Sequence, residues 1–278
     1  MSGKLKFLTV EQKKFWDENG FIKLSDVFSN EELDEISKEY DDLFERKQKE
    51  DAGGLEAAWK GDDMKRAARN ISYTVKSIHN LQMHSAVFTR LLLQRRLLDA
   101  MEDIVGPNVL LHHTKAHIKP PEKGAPYLMH QDYPYFPFKK HSMCAVFVHL
   151  DDTSPENGGL CVYPGSHKLG PLPERELIDE HGEKYRYVDP ERFPISGATP
   201  LTARRGDIIV FSYLLLHGSY LNLSDRPRRM FLAQLRSADD EPAKSVHHSH
   251  CQDLVLRGKN PFMRATMATR FVDSTKNQ

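Results

Sequence analysis

Apolar residues recur at helical spacing through the first third of the chain and at strand-like spacing through most of the remainder. Thr9 followed by Gln12, and Ser29 followed by Glu32, both fit capping boxes, in which a hydroxyl and a later side chain satisfy each other's backbone N–H groups. The first is expected to open a helix through Phe15 and Trp16 that stops at Gly20. The second is expected to open a longer helix whose buried stripe is Leu33, Ile36, Tyr40, Leu43 and Phe44. Between them, Phe21-Ile22-Lys23-Leu24 reads as a short strand. Asp51-Ala52-Gly53-Gly54 marks a loop, and the poorly patterned segment that follows to Asn70 is expected to be mobile. One further helix is expected from Ala86 to Val105, burying Val87, Leu91, Leu92, Leu98, Met101 and Ile104 before Gly106-Pro107 ends it.

After that the period changes. Val109 to Ile118, Ala145 to Leu150, Leu160 to Tyr163, Ile208 to Leu216 and Arg229 to Leu235 are short β-rich runs separated by Pro, Gly, Asn and Asp. Many short strands in succession suggest a sandwich or barrel, and an antiparallel jelly roll is one way to avoid exposed sheet edges. The run that reaches Leu214-Leu215-Leu216 is apolar on both faces, so it is expected to be a central, covered strand with His217 at its end. There is no internal repeat and no low-complexity tract.

Composition narrows the class. The chain has 278 residues, 39% hydrophobic and 28% charged, with formal net charge zero and pI near 7.3, which describes a globular protein rather than a general nucleic-acid or anionic-membrane binder. Its longest apolar run is too short to span a bilayer. Cys144, Cys161 and Cys251 are odd in number and widely spaced, as expected of thiols in a reducing compartment. The start lacks the apolar core of a secretory signal and the end does not read as a peroxisomal Ser-Lys-Leu address, so a cytoplasmic location is expected.

The candidate chemistry centres on His130-Gln131-Asp132-Tyr133-Pro134-Tyr135-Phe136-Pro137-Phe138. In a strand, residues two apart project to one side, so His130 and Asp132 could grip one ion, with His217 as third ligand. Two histidines and a carboxylate on one face of a metal are the arrangement of non-haem Fe(II) oxygenases. His149-Leu150-Asp151 is a second motif of the same spacing, however, and spacing alone leaves both candidates open. His247-His248-Ser249-His250 with Cys251 lacks a paired cluster and reads as a solvated loop. His113 and His117 share a strand face and could line a pocket, while Tyr133, Tyr135, Phe136 and Phe138 could form a lid or a hydrophobic plug.

From Met129 to Arg229 the chain resembles the phytanoyl-CoA dioxygenase (PhyH) family of Fe(II)- and 2-oxoglutarate-dependent oxygenases. The pieces that carry the likeness are His130-Gln131-Asp132 with Tyr135-Phe136-Pro137-Phe138, Asn157-Gly158-Gly159, Val162-Tyr163-Pro164-Gly165-Ser166-His167-Lys168, Arg205-Gly206-Asp207, His217-Gly218-Ser219 and Arg228. The resemblance implies a mainly β fold with N-terminal helices around a double-stranded β-helix, a cupin-like jelly roll. It implies a single domain over 1–278, with a mainly helical part over 1–108, the β-helix core over 109–237 and a C-terminal extension over 238–278.

The resemblance also selects His130, Asp132 and His217 as the iron ligands. It implies hydroxylation of a small organic or acyl substrate, which could be an acyl-CoA, as 2-oxoglutarate is decarboxylated by O2 to succinate and CO2. Ascorbate is the expected reductant in vitro. Arg228 falls where the family's arginine holds the distal carboxylate of 2-oxoglutarate, and a guanidinium suits that group because it binds bidentately. Ser219 matches a family serine at the same carboxylate, and Lys76 resembles a family lysine near the cosubstrate. Phe147 stands where tryptophan is frequent and Lys115 where an apolar methionine is common, departures that bear on pocket and substrate shape. Because relatives act in peroxisomes, that location stays open, and oligomeric state is not legible. Two other readings compete: a non-catalytic jelly-roll module binding metal or ligand, and a redox-inert metalloenzyme of cupin type. Arg228 at its spacing from His217 favours the oxygenase.

Overall fold

The computed structural model describes residues 4–50, 56–58, 74–122, 124–178, 184–244 and 248–263. Helix α1 (Val10–Asn19) begins at Thr9 with both capping-box bonds made and ends at Gly20, whose φ of 77° closes the last turn. Strand β1 (Phe21–Leu24) follows, and then helix α2 (Asn30–Glu50), whose N-terminus is tied by reciprocal bonds between Ser29 and Glu32. Its five expected core residues are all buried, Tyr40 completely. The expected mobile loop lies outside the described residues apart from the short strand β2 (Glu56–Ala58), which pairs with β3 (Thr74–His79).

The single helix expected to Val105 is two: α3 (Ala86–Leu92) and α4 (Arg95–Val105), the second capped by the Gln94 side chain at Arg96 N. Packing requires the break. Leu91 and Leu97 both reach the core, yet in one straight helix they would point about 120° apart. The interruption at Leu93-Gln94 turns both onto it.

The remaining strands are β4 (Val109–Lys119), β5 (Tyr127–His130), β6 (Cys144–His149), β7 (Leu160–Val162), β8 (Arg175–Ile178), β9 (Lys184–Tyr187), β10 (Thr199–Leu201), β11 (Ile208–Ser212), β12 (His217–Ser219), β13 (Arg228–Ser237) and β14 (Val255–Arg257). The major sheet runs β1-β11-β6-β13-β4-β3-β2, with β14 also on β4, so strands from both ends of the chain join it. The minor sheet runs β10-β7-β12-β5, and β8 pairs with β9 apart from both. Every pairing is antiparallel.

Alternation along the strands divides the core. One face of the major sheet, including Val146, Val148, Val210, Phe231 and Ala233, packs on the helices. The other, with Phe147, Ile209, Phe211, Met230 and Leu232, meets Leu160 and Val162 of the minor sheet. This is a jelly roll backed by helices.

One expected strand is corrected. The apolar run from Ile208 to Leu216 leaves the major sheet at Ser212, turns through Tyr213–Leu216, and re-enters as β12 in the minor sheet, so His217 begins a strand instead of ending one. The corner carries no glycine or proline because distant groups satisfy its backbone. Asp132 N donates to Tyr213 O, Gln131 Nε2 to Leu214 O, and Leu216 N to Ser166 Oγ.

Candidate active site

His130, the last residue of β5, and His217, the first of β12, are directly opposed across the minor sheet. Their rings lie 4.1 Å apart, centroid to centroid. Asp132 has already left the strand, with φ −77° and ψ −20°, and enters the single helical turn Tyr133–Tyr135. Its Oδ1 is 3.8 Å from His130 Nε2 and 3.7 Å from His217 Nε2. Among the described residues this is the one group of three His, Cys, Asp or Glu side chains whose donor atoms converge, all within 4.8 Å.

Each donor is oriented from behind. His130 Nδ1 is 2.8 Å from Leu128 O and His217 Nδ1 is 3.0 Å from Leu215 O. A carbonyl can only accept, so both Nδ1 atoms carry the proton and both Nε2 lone pairs face the third ligand. Burial, then the neighbouring His217, hold the His130 imidazole down to about 3, so it is neutral at physiological pH. Gln234 Nε2 donates to Asp132 Oδ2 at 2.8 Å, which leaves Oδ1 for an ion. Two imidazole Nε2 atoms and one carboxylate oxygen fit a divalent iron.

Gln234 escaped the sequence reading. Its only signal is a polar residue inside Met230-Phe231-Leu232-Ala233-Gln234-Leu235.

The structure separates the two His-x-Asp motifs. His149 is fully buried, and neither ring nitrogen is hydrogen-bonded among the described residues. Asp151 accepts from Arg229 N, Nε and Nη2, and Arg229 also reaches Asp41. Arg229 thus takes the face opposite Arg228.

Arg228 is buried, its Nε and Nη1 have no hydrogen-bond partner among the described residues, and burial pushes its pKa down to about 10. It sits across from Lys119 of β4. Lys119 Nζ, also fully buried, donates to Ser219 Oγ at 2.6 Å. Three buried polar side chains therefore meet in one region without a carboxylate ion pair among the described residues. Phe147 packs edge-on against Phe211, which lies 4.5 Å from the His217 ring, centroid to centroid, and these two rings form an aromatic wall beside the ligands.

Lys76, expected near the cosubstrate, lies on β3. It pairs with Ile118, on the β4 face that packs toward the helices, whereas Ser77 and His79 pair with His117 and Lys115 on the inner face. Strand alternation turns it away from the triad. His113, Lys115 and His117 share the inner face of β4, and His117 Nδ1 hydrogen-bonds Tyr127 Oη at 3.3 Å. Phe136 and Phe138 pack with Met143, Tyr213 and Leu214 as a plug. His247 lies outside the described residues.

Residues 16–230 match the sequence profile of the phytanoyl-CoA dioxygenase (PhyH) family. The chain belongs to this family. It is accordingly an oxidoreductase of the iron- and 2-oxoglutarate-dependent dioxygenase type. It is 27% identical to the peroxisomal phytanoyl-CoA dioxygenase of Rattus norvegicus, covering 84% of this chain and 69% of that one. It is 26% identical to a probable alpha-ketoglutarate-dependent hypophosphite dioxygenase of Stutzerimonas stutzeri, covering 95% and 89%. In fold it resembles EctD from S. alaskensis in its apoform, with a TM-score of 0.68 at 22% identity over 91% of this chain and 85% of that one. No described helix is long and apolar enough to cross a membrane.

Proposed function

We propose that this PhyH-family chain hydroxylates a small organic or acyl substrate, with iron held by His130, Asp132 and His217 and 2-oxoglutarate as cosubstrate. The observation that carries this reading is the convergence of three donors whose outward-facing atoms are all tied to other partners. Iron bound there with 2-oxoglutarate and O2 would supply a two-electron oxidation, in which the keto acid gives succinate and CO2 and the substrate gains a hydroxyl.

The chain's own task is to hold and to exclude. Asp132 would give the metal one carboxylate oxygen and the two histidines their Nε2 atoms, leaving positions open on the far side. The unpartnered Nε and Nη1 of Arg228 suit a carboxylate, which would relieve the cost of a buried, unpaired guanidinium. Ser219 offers a hydroxyl to the same group. Phe147 and Phe211 keep water from the ligands on the barrel side. The inner row His113, Lys115 and His117, with His79 beside it, is the wall available to substrate.

The test is succinate formation from 2-oxoglutarate with Fe(II), O2 and ascorbate, screened against acyl-CoAs, free carboxylic acids and other small organic molecules. His130→Ala is expected to abolish iron binding and turnover, whereas His149→Ala should keep iron binding. Metal binding by the wild type without any binding of 2-oxoglutarate would instead indicate a non-catalytic module.

A further inference from the structure

Lys119 is the largest cationic side chain buried to zero exposure, and nothing in the chemistry above uses it. Its Nζ donates to Ser219 Oγ and to the backbone carbonyl of Tyr220, both at 2.6 Å, and lies 5.5 Å from the centre of the Tyr127 ring. All of these partners are neutral. In the sheet it stands directly across from Arg228, so two cations adjoin without an ion pair to either among the described residues. Burial, then Arg228, push the lysine well below its ordinary range, the mark of a charge lacking a counterion.

Two surrounding loops are shaped to this side chain. Gly158, at φ 82°, passes so close that a Cβ there would be 2.9 Å from Lys119 Cδ, and a Cβ on Gly124 would be 2.9 Å from Lys119 Cβ. A buried charge confined in this way costs several kcal/mol unless something of opposite sign joins it.

We infer that Lys119 is a positioning residue for the cosubstrate: it fixes the Ser219 hydroxyl and adds a second positive charge beside Arg228 for the distal carboxylate of 2-oxoglutarate. Because Nζ donates to Ser219 Oγ, the Ser219 proton is left to donate to the bound anion. The inference rests on 2-oxoglutarate occupying this site, and it predicts preference for a diacid over the matching monoacid.

The experiment is anaerobic calorimetry of the full chain loaded with redox-inert Mn(II). 2-Oxoglutarate is compared with 2-oxopentanoate, in which a methyl group replaces the distal carboxylate. Lys119→Met should weaken 2-oxoglutarate by about 10- to 100-fold, the worth of a hydrogen-bonded charge, and leave 2-oxopentanoate within about 2-fold. Ser219→Ala, which tests the same contact should the methionine variant not fold, should narrow the difference between the two acids. Added to Lys119→Met, it should cost little more, because the two act as a unit. Equal losses for both acids would reduce Lys119 to a packing role, and unchanged 2-oxoglutarate affinity in either single variant would overturn the inference. Failure of the wild type to bind 2-oxoglutarate would instead defeat the functional reading itself, in an arm that contains no substitution.

Discussion

Gln234 does for Asp132 what two backbone carbonyls do for the histidines: it occupies the outward-facing atom so that only one donor remains to turn inward. Partners of this kind typically contribute 10- to 100-fold to metal affinity. Gln234→Ala is therefore expected to weaken Mn(II) or Fe(II) by about that factor while leaving the fold intact, measured by metal titration beside a thermal melt; unchanged affinity would assign Gln234 to packing alone. At this scale the sequence was informative about ligand types and poor about their companions. His130, Asp132, His217 and Arg228 stand out through motif and resemblance. Gln234 and Lys119 meet Asp132 and Ser219 from 102 and 100 residues away, and no local pattern marks them. Lys76, matched by type, stands across from Ile118 on the face that packs toward the helices, a placement that only strand register fixes, because one step along a strand reverses direction.

Among the elements, α2 and the β4–β13 ladder hold the site wall. Tyr40, fully buried on α2, donates its hydroxyl to His117 O at 2.7 Å and Met230 O at 3.1 Å, joining the helix to both strands behind the Lys119–Arg228 pair. Tyr40→Phe keeps the ring but deprives two buried carbonyls of that donor, and should destabilise the protein by about 1–3 kcal/mol in denaturant unfolding. A smaller midpoint shift than this range allows would mean that other donors replace the hydroxyl. Capping boxes made the starts of α1 and α2 legible to within a residue, since those bonds join positions three apart. The break between α3 and α4 and the corner after Ser212 were not legible. Both lie in apolar runs and are decided by what the run packs against.

For the whole molecule, the site is the meeting of two sheets with a helical layer at its back, and its ligands come from two neighbouring strands far apart in sequence and the turn that follows one of them. A ligand that binds only this assembled state stabilises it by mass action, by about 2.7 kcal/mol at 100 times its dissociation constant. Mn(II) should therefore raise the thermal midpoint of the wild type, 2-oxoglutarate should raise it further, a chelator should reverse both, and His217→Ala should abolish the metal-dependent shift. An equal shift in that variant would move the ion elsewhere. The sequence by itself determined the helix starts, the change of period from helices to strands, the neutral globular character and the order of the family motifs, because each is local or compositional. Only the tertiary structure decided which His-x-Asp pair converges with His217, that the long apolar run bends between sheets, and that Lys119 and Arg228 lie side by side. Those outcomes depend on strand register and on which face each side chain takes, and both are settled by contacts among segments that the chain order keeps apart.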